Sequence, residues 1–229
     1  MMRKVLPLLL FLCIQNLHIV NAEITHREAG AFTTGGFNRS SYGFGEIAMT
    51  GALELNNRYS FRGGFLFEFA KPQVGLKLFT AARIAPWKKI PLRFSLAYMY
   101  AGLPKYEAHA NTLMPSVMFS GKWAGIAIGV SFRFTRFFKE SAIFEPILSI
   151  SAYVNFYTNE KFRIGITAAN FNDFGAGNMG SYSLSINSAV NITERWSIFN
   201  DLEVMQSGSV GLSSNFYGIA WRGGMKFVW

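Results

Sequence analysis

Arg62, Arg83, Arg93, Arg163 and Lys226 each stand alone among small or apolar neighbours, and so do Glu54, Glu68, Asp201, Glu203 and Arg222. Isolated charges of both signs are poor tools for making or breaking bonds, which takes a nucleophile, a base and an orienting group close together. Beyond residue 22 the only histidines are His26 and His109. A lone His109 beside Tyr106 and Glu107, in a loop expected over Ala101 to Thr112, reads as a solvated side chain. We therefore expect no catalytic residue, and His109→Ala should leave any lipase or protease activity intact. Nothing has metal-ligand spacing and nothing suggests a cofactor. Such charges can pair with one another, or they can steer a solute of opposite sign.

The elements that hold these side chains follow from period-two patterning. In YSFRGGFLFEFA, from Tyr59 to Ala70, Phe61, Phe65, Phe67 and Phe69 share one face, and Ser60, Arg62, Gly64 and Glu68 the other. That period belongs to a strand. It recurs over Gly45–Asn56, Leu92–Tyr100, Trp123–Thr135, Ile143–Tyr157, Phe162–Ala169, Tyr182–Ile192, Trp196–Met205 and Phe216–Trp229, and more weakly over Val74–Ile84 and Leu113–Gly121.

The quality of the second face separates a soluble sandwich from a membrane barrel. A sandwich turns abundant Lys and Glu to bulk water, whereas this face is mostly Gly, Ala, Ser and Thr with single Arg and Glu. The first face carries Phe, Ile, Leu and Val, which suits lipid. A sheet in hydrocarbon must close on itself to pair its backbone groups. The expectation is an all-β, closed antiparallel transmembrane barrel.

Turn lengths give its orientation. Short connections at Asn56–Arg58, Gly121–Lys122, Thr158–Lys161 and Thr193–Arg195 alternate with longer ones at Ala101–Thr112, Arg136–Ala142, Asn170–Ser181 and Gln206–Asn215. Short turns face the periplasm in such barrels, which puts Trp229 there as well. Eleven strands follow directly. A poorly alternating twelfth over about Gly30 to Phe37 completes an even number, and merging of neighbours would leave ten or eight. Tyr59, Trp87, Trp123, Phe162, Trp196 and Trp229 flank the inner turns like an interfacial girdle, with Trp123 assigned by parity to its turn. Pro115 and Pro146 are expected near the outer ends of their strands.

The chain ends RGGMKFVW, which is built like the middle of a strand. Arg222, Gly224, Phe227 and Trp229 stand as a polar residue, a glycine two places on, and hydrophobic residues at the third-last and last positions. This pattern resembles the C-terminal recognition signal of bacterial outer-membrane β-barrel proteins. The resemblance implies a last strand that is read by the barrel-assembly machinery and then pairs with the first. It carries over no functional residue.

At the other end, MMRKVLPLLLFLCIQNLHIVNA has a basic start, an apolar run and a small-residue close, the form of a cleaved secretory signal over residues 1–22. A spanning helix needs roughly 18 or more apolar residues, and Gln15, Asn16 and His18 interrupt this run. Residues 23–229 then form a single outer-membrane barrel domain without cysteine, since Cys13 leaves with the signal. The formal net charge is +9, or about +7 once Arg3 and Lys4 are removed. An exported chain with scattered basic residues is not expected to bind nucleic acid, so the charges are assigned to the lumen.

There Arg62, Arg83, Arg93, Arg163 and Lys226 project to the inner end with Glu54 as the only acid. Glu46, Glu68, Glu145 and Glu203 oppose Lys77 and Arg133 near the outer end, and Asp201 and Arg222 lie between. These charges could brace a plugged barrel as internal pairs, or line a pore whose basic inner constriction favours anions. The reading preferred is a narrow passive channel for small, preferentially anionic solutes, lined by Arg62, Arg83, Arg93, Arg163, Arg222, Lys226, Glu54, Glu68, Asp201 and Glu203. The alternative is a non-conducting surface barrel acting in adhesion or envelope structure through its external loops. The glycine-rich stretch from Asn170 to Ser181, with Phe171 and Phe174, is the candidate contact loop. Expected partners are outer-membrane lipid, the assembly machinery and small solutes.

Overall fold

A computed structural model describes residues 23–38, 43–70, 73–87, 90–103, 108–136, 143–170, 181–207 and 215–229. The expected signal segment 1–22 lies outside the described residues, and so does most of the candidate contact loop, Phe171 and Phe174 included.

Twelve strands follow one another in chain order: β1 Ile24–Asn38, β2 Gly43–Leu55, β3 Tyr59–Ala70, β4 Gln73–Ile84, β5 Leu92–Leu103, β6 Ala108–Ser120, β7 Ala124–Arg136, β8 Ile143–Thr158, β9 Phe162–Ala169, β10 Ser181–Asn191, β11 Trp196–Ser207 and β12 Asn215–Val228. Each pairs antiparallel with its neighbours, and β1 pairs with β12 from Glu28↔Val228 to Asn38↔Gly218, so the sheet is a closed barrel. Twelve is therefore the count, rather than ten or eight. Residues Ile24 and Trp229 lie at the same end as the turns at 56–58, 121–123, 159–161 and 192–195, here called the inner end.

Alternation sorts the side chains as expected. Phe65, Phe67 and Phe69 are exposed on the outer surface while Leu66 between them is fully buried. The same pattern sets Ile126, Ile128 and Val130 outside against Ser131 inside. An apolar exterior of this kind would be untenable in water over so many strands and is stable in hydrocarbon. Trp196, Phe227 and Trp229 stack along the inner rim, with ring centroids 4.8 and 5.6 Å apart. Trp123 belongs to its turn and is exposed, with Lys122 over its ring.

Four local expectations need correction. β1 begins at Ile24 rather than near Gly30, because pairing with β2 from Ile24 and with β12 from Glu28 holds a strand whose own alternation is weak. β5 and β6 run on through most of the loop expected over Ala101 to Thr112. His109 therefore stands on β6, its ring stacked on Tyr100 with centroids 6.4 Å apart, on the outer face where Tyr98 also donates to Asn111 Oδ1 at 2.7 Å. Pro115 sits in mid-strand rather than near the outer end. The β6–β7 register skips Met114 and Pro115 there, as a residue without an N–H requires. Finally, the β8–β9 register shifts between Asn155 and Tyr157. This bulge turns Tyr157 outward to meet Phe162, centroids 6.0 Å apart, whereas unbroken alternation from Tyr153 points it into the lumen.

Candidate functional site in the barrel lumen

The lumen has two unlike walls. Along β1 to β6, Phe32, Ala48, Leu66, Phe79, Ala81, Ala97 and Met114 form one buried apolar cluster, and Phe199 of β11 packs against it. Alternation puts Leu66 on the same face as Arg62 and Glu68 but does not signal its union with Phe79 into a cluster. Period two assigns apolar residues to lipid, and single ones among glycines and alanines give no signal of meeting inside.

From β7 to β11 the wall is small and polar. Ser131 and Ser149 share a hydrogen bond between their hydroxyls, Thr167 donates to Asn187 Oδ1 at 3.0 Å, and Asn187 Nδ2 donates to Ser185 Oγ at 3.0 Å. These groups satisfy one another along the wall, so it stays flat and leaves space in front of it.

That space includes a cavity of about 670 Å³ at the inner end, reached by side chains of β8 to β12, β1 and Arg62 of β3. A second, of about 380 Å³, faces β4 to β8. Arg62 and Tyr153 line both and mark the waist between them; the Tyr153 hydroxyl is tied to the Gly121 carbonyl at 2.7 Å. Twelve strands enclose more than the eight whose interior side chains just fill, which is why half of this lumen can be packed and the rest remain open.

The ten charges singled out in the sequence lie on lumen-facing positions of their strands: Arg62, Arg83, Arg93, Arg163, Lys226 and Glu54 toward the inner end, Glu68 and Glu203 toward the outer end, and Asp201 and Arg222 between. Their pairing is uneven. Lys77 lies 3.3 Å from Glu46 and 2.8 Å from Glu68, in a buried triad above the apolar cluster. Arg93 pairs with Glu54 at 3.4 Å. Arg222 lies 3.9 Å from Asp201 and 3.8 Å from Glu203, and it donates from Nε to Thr34 Oγ1 across the β1–β12 seam at 3.4 Å.

Glu54 is not the only inner acid, as the sequence reading held. Glu28, on the part of β1 ahead of Gly30, pairs with Lys226 at 3.4 Å and lies 3.8 Å from His26. Even so, the larger cavity is lined by Arg62, Lys161, Arg163, Arg222 and Lys226 against Glu28 and Asp201, an excess of three positive charges. Arg163 makes no ion pair among the described residues.

The closing seam has its own chemistry. Gly224 lies between Phe32 of β1 and Phe199 of β11, whose rings meet edge to face with centroids 6.1 Å apart. Arg222 lies over the Phe32 ring at 5.4 Å and Lys226 over the Phe199 ring at 5.8 Å. Of the four terminal residues singled out by resemblance, Arg222 and Gly224 thus face the lumen at the seam, and Phe227 and Trp229 face outward at the rim. Among the described residues, no group of three or more metal-ligating side chains gathers anywhere.

No protein-family profile matches the chain, and no curated protein matches it in sequence. Solved structures do match in fold. The KdgM porin in complex with disordered oligogalacturonate aligns over 86% of this chain and 98% of its own, with a TM-score of 0.56 at 6% identity. The NanC porin aligns over the same shares, with a TM-score of 0.57 at 10% identity. The COG4313 outer membrane channel from Pseudomonas putida F1 aligns over 90% of this chain and 96% of its own, with a TM-score of 0.54 at 9% identity. Closed, twelve-stranded and apolar outside, the chain has the fold of the bacterial outer-membrane β-barrel proteins.

Proposed function

We propose that the protein is a narrow passive channel of the outer membrane, and that it prefers small anions. The observation that carries this reading is the inner cavity, whose lining holds three positive charges in excess and includes Arg163, which makes no ion pair among the described residues. Fixed charge around a water-filled constriction raises the local concentration of the opposite ion. The solute path is drawn toward the hydroxyl-rich β7–β11 wall, because the apolar cluster narrows the other wall and Lys77 and Arg93 there are held in pairs. The fold neighbours are porins and a channel, one of them in complex with an acidic saccharide, oligogalacturonate, and this supports the same class of activity here. We also propose that β12 is the strand read by the assembly machinery, and that residues 1–22 are removed on export.

The test is the reversal potential across a planar bilayer under a potassium chloride gradient. The wild-type barrel should conduct and favour chloride. Reversing Arg62 and Arg163 to glutamate takes the cavity lining from three positive charges in excess to one negative, and should turn the preference toward potassium. A silent wild-type barrel, or one whose preference ignores both reversals, refutes the reading and favours a barrel that acts through its loops.

A further inference from the structure

Arg133 is the odd cation of the outer half of the lumen. On β7 it stands inward between Ser131 and Thr135, with Thr112 of β6 as its register partner on one side and Glu145 of β8 on the other. A carboxylate thus lies directly across the ladder, yet among the described residues Arg133 makes no ion pair. Its Nε is buried without a hydrogen-bond partner, and so is the Oγ1 of Thr135. Thr135 is 6% exposed and Thr112 4% exposed.

Two buried donors left unsatisfied two positions apart on one face of a strand are costly, and native proteins seldom keep such groups without a purpose. Here they are of one kind. A guanidinium offers donors only, and the neighbouring threonine hydroxyls can both donate, so the missing partner is an acceptor with several oxygens and negative charge. A cation would meet Arg133 as a like charge. Chloride can accept from these donors only at a single centre, whereas an oxyanion offers several oxygens to separate donors at once.

We propose that Arg133, Thr112 and Thr135 form a binding site for a small oxyanion, a carboxylate or phosphate group, at the outer end of the lumen. The site stands apart from the inner cavity, on the same open wall as Arg163. It rests on the channel reading only in that solute must reach the lumen from outside. An incoming anion would be held first at Arg133 and then meet the inner cations, which gives the path two stations rather than one.

The test is calorimetric titration of inorganic phosphate, and in parallel of acetate, into the full chain folded in detergent micelles at low ionic strength. The wild type should show one saturable oxyanion site that chloride displaces poorly. Arg133→Ala should weaken it by about tenfold or more, as loss of a charge-assisted donor does, Thr135→Val should weaken it less, and Arg163→Ala should leave it in place. Arg133→Gln, which keeps most of the side-chain volume, serves if the alanine variant does not fold. The proposal is overturned if the wild type binds neither anion saturably, or if Arg133→Gln and Thr135→Val bind as the wild type does. Loss of binding in Arg163→Ala alone would also overturn it while leaving the channel reading intact. A barrel that is silent in bilayers but binds phosphate through Arg133 would do the reverse.

Discussion

Replacing Gly224 with alanine should destabilise the barrel at its seam, and the structure sets the size of the effect. A Cβ at this position would come within 2.5 Å of Phe32 Cβ, 2.6 Å of the Ala31 carbonyl oxygen and 2.7 Å of Phe199 Cζ. Only the last atom is the far end of a side chain that can swing away. The other two belong to the body of β1, which is fixed by ladders to β2 and β12. Forcing a methyl group into such a site costs about 1–3 kcal/mol. Gly35 is the control, since a Cβ there would meet nothing within 4 Å. Alanine in place of a strand glycine should then be worth about 0.5–1 kcal/mol through the unfolded chain alone. The two variants should shift stability in opposite directions and differ by about 1.5–4 kcal/mol. Urea unfolding of barrels folded into lipid vesicles, followed by tryptophan fluorescence, measures this as a shift in midpoint at constant slope. Adding Phe199→Ala to Gly224→Ala should restore only part of the loss, because the Ala31 carbonyl remains. If Gly224→Ala unfolds with the wild type, or if Gly35→Ala falls with it, the packing account of the seam is wrong.

Lys77→Met should cost about 3–5 kcal/mol in the same unfolding assay, since it strands the Glu46 and Glu68 carboxylates in the lumen without their cation; adding Glu46→Gln and Glu68→Gln should recover most of it. Tyr153→Ala removes a ring from the waist between the two cavities and should raise single-channel conductance. Tyr157→Ala, four residues on, should leave conductance unchanged, because the bulge has turned that ring to the inner girdle; equal effects of the two on conductance would refute the assignment.

The barrel itself was open to sequence reading because hydrocarbon imposes one rule on every strand. Ile126, Ile128 and Val130 must face out, and their partners at 125, 127 and 129 must be small. Where that rule is enforced weakly, the reading slipped. β1 alternates Ala29, Ala31 and Thr33 against Gly30, Phe32 and Thr34, a pattern with little contrast, and it is held instead by hydrogen bonds on both edges. The bulge before Tyr157 and the unpaired stretch at Pro115 are departures of one or two residues in the ladder, which a period-two count cannot see. The levels of the lining charges followed from parity and turn length together, so Arg62 and Arg163 could be placed near the inner end before any geometry was known.

Their partners could not, because pairing depends on which strand lies alongside. Arg222 reaches Thr34 across a separation of 188 residues, and Lys226 finds Glu28 across the same seam. Knowing the partners changes what the charges mean. Had every cation taken an acid, the lumen would read as a braced plug, since a buried pair is neutral to a passing ion. Instead the paired cations Lys77 and Arg93 lie on the wall that the apolar cluster fills, and Arg133 and Arg163, which make no ion pair among the described residues, lie on the wall of serines and threonines. Fixed charge without a partner is costly unless water or solute reaches it. The position of Arg133 and Arg163 on the open wall is therefore what the proposed anion path along that side of the barrel rests on.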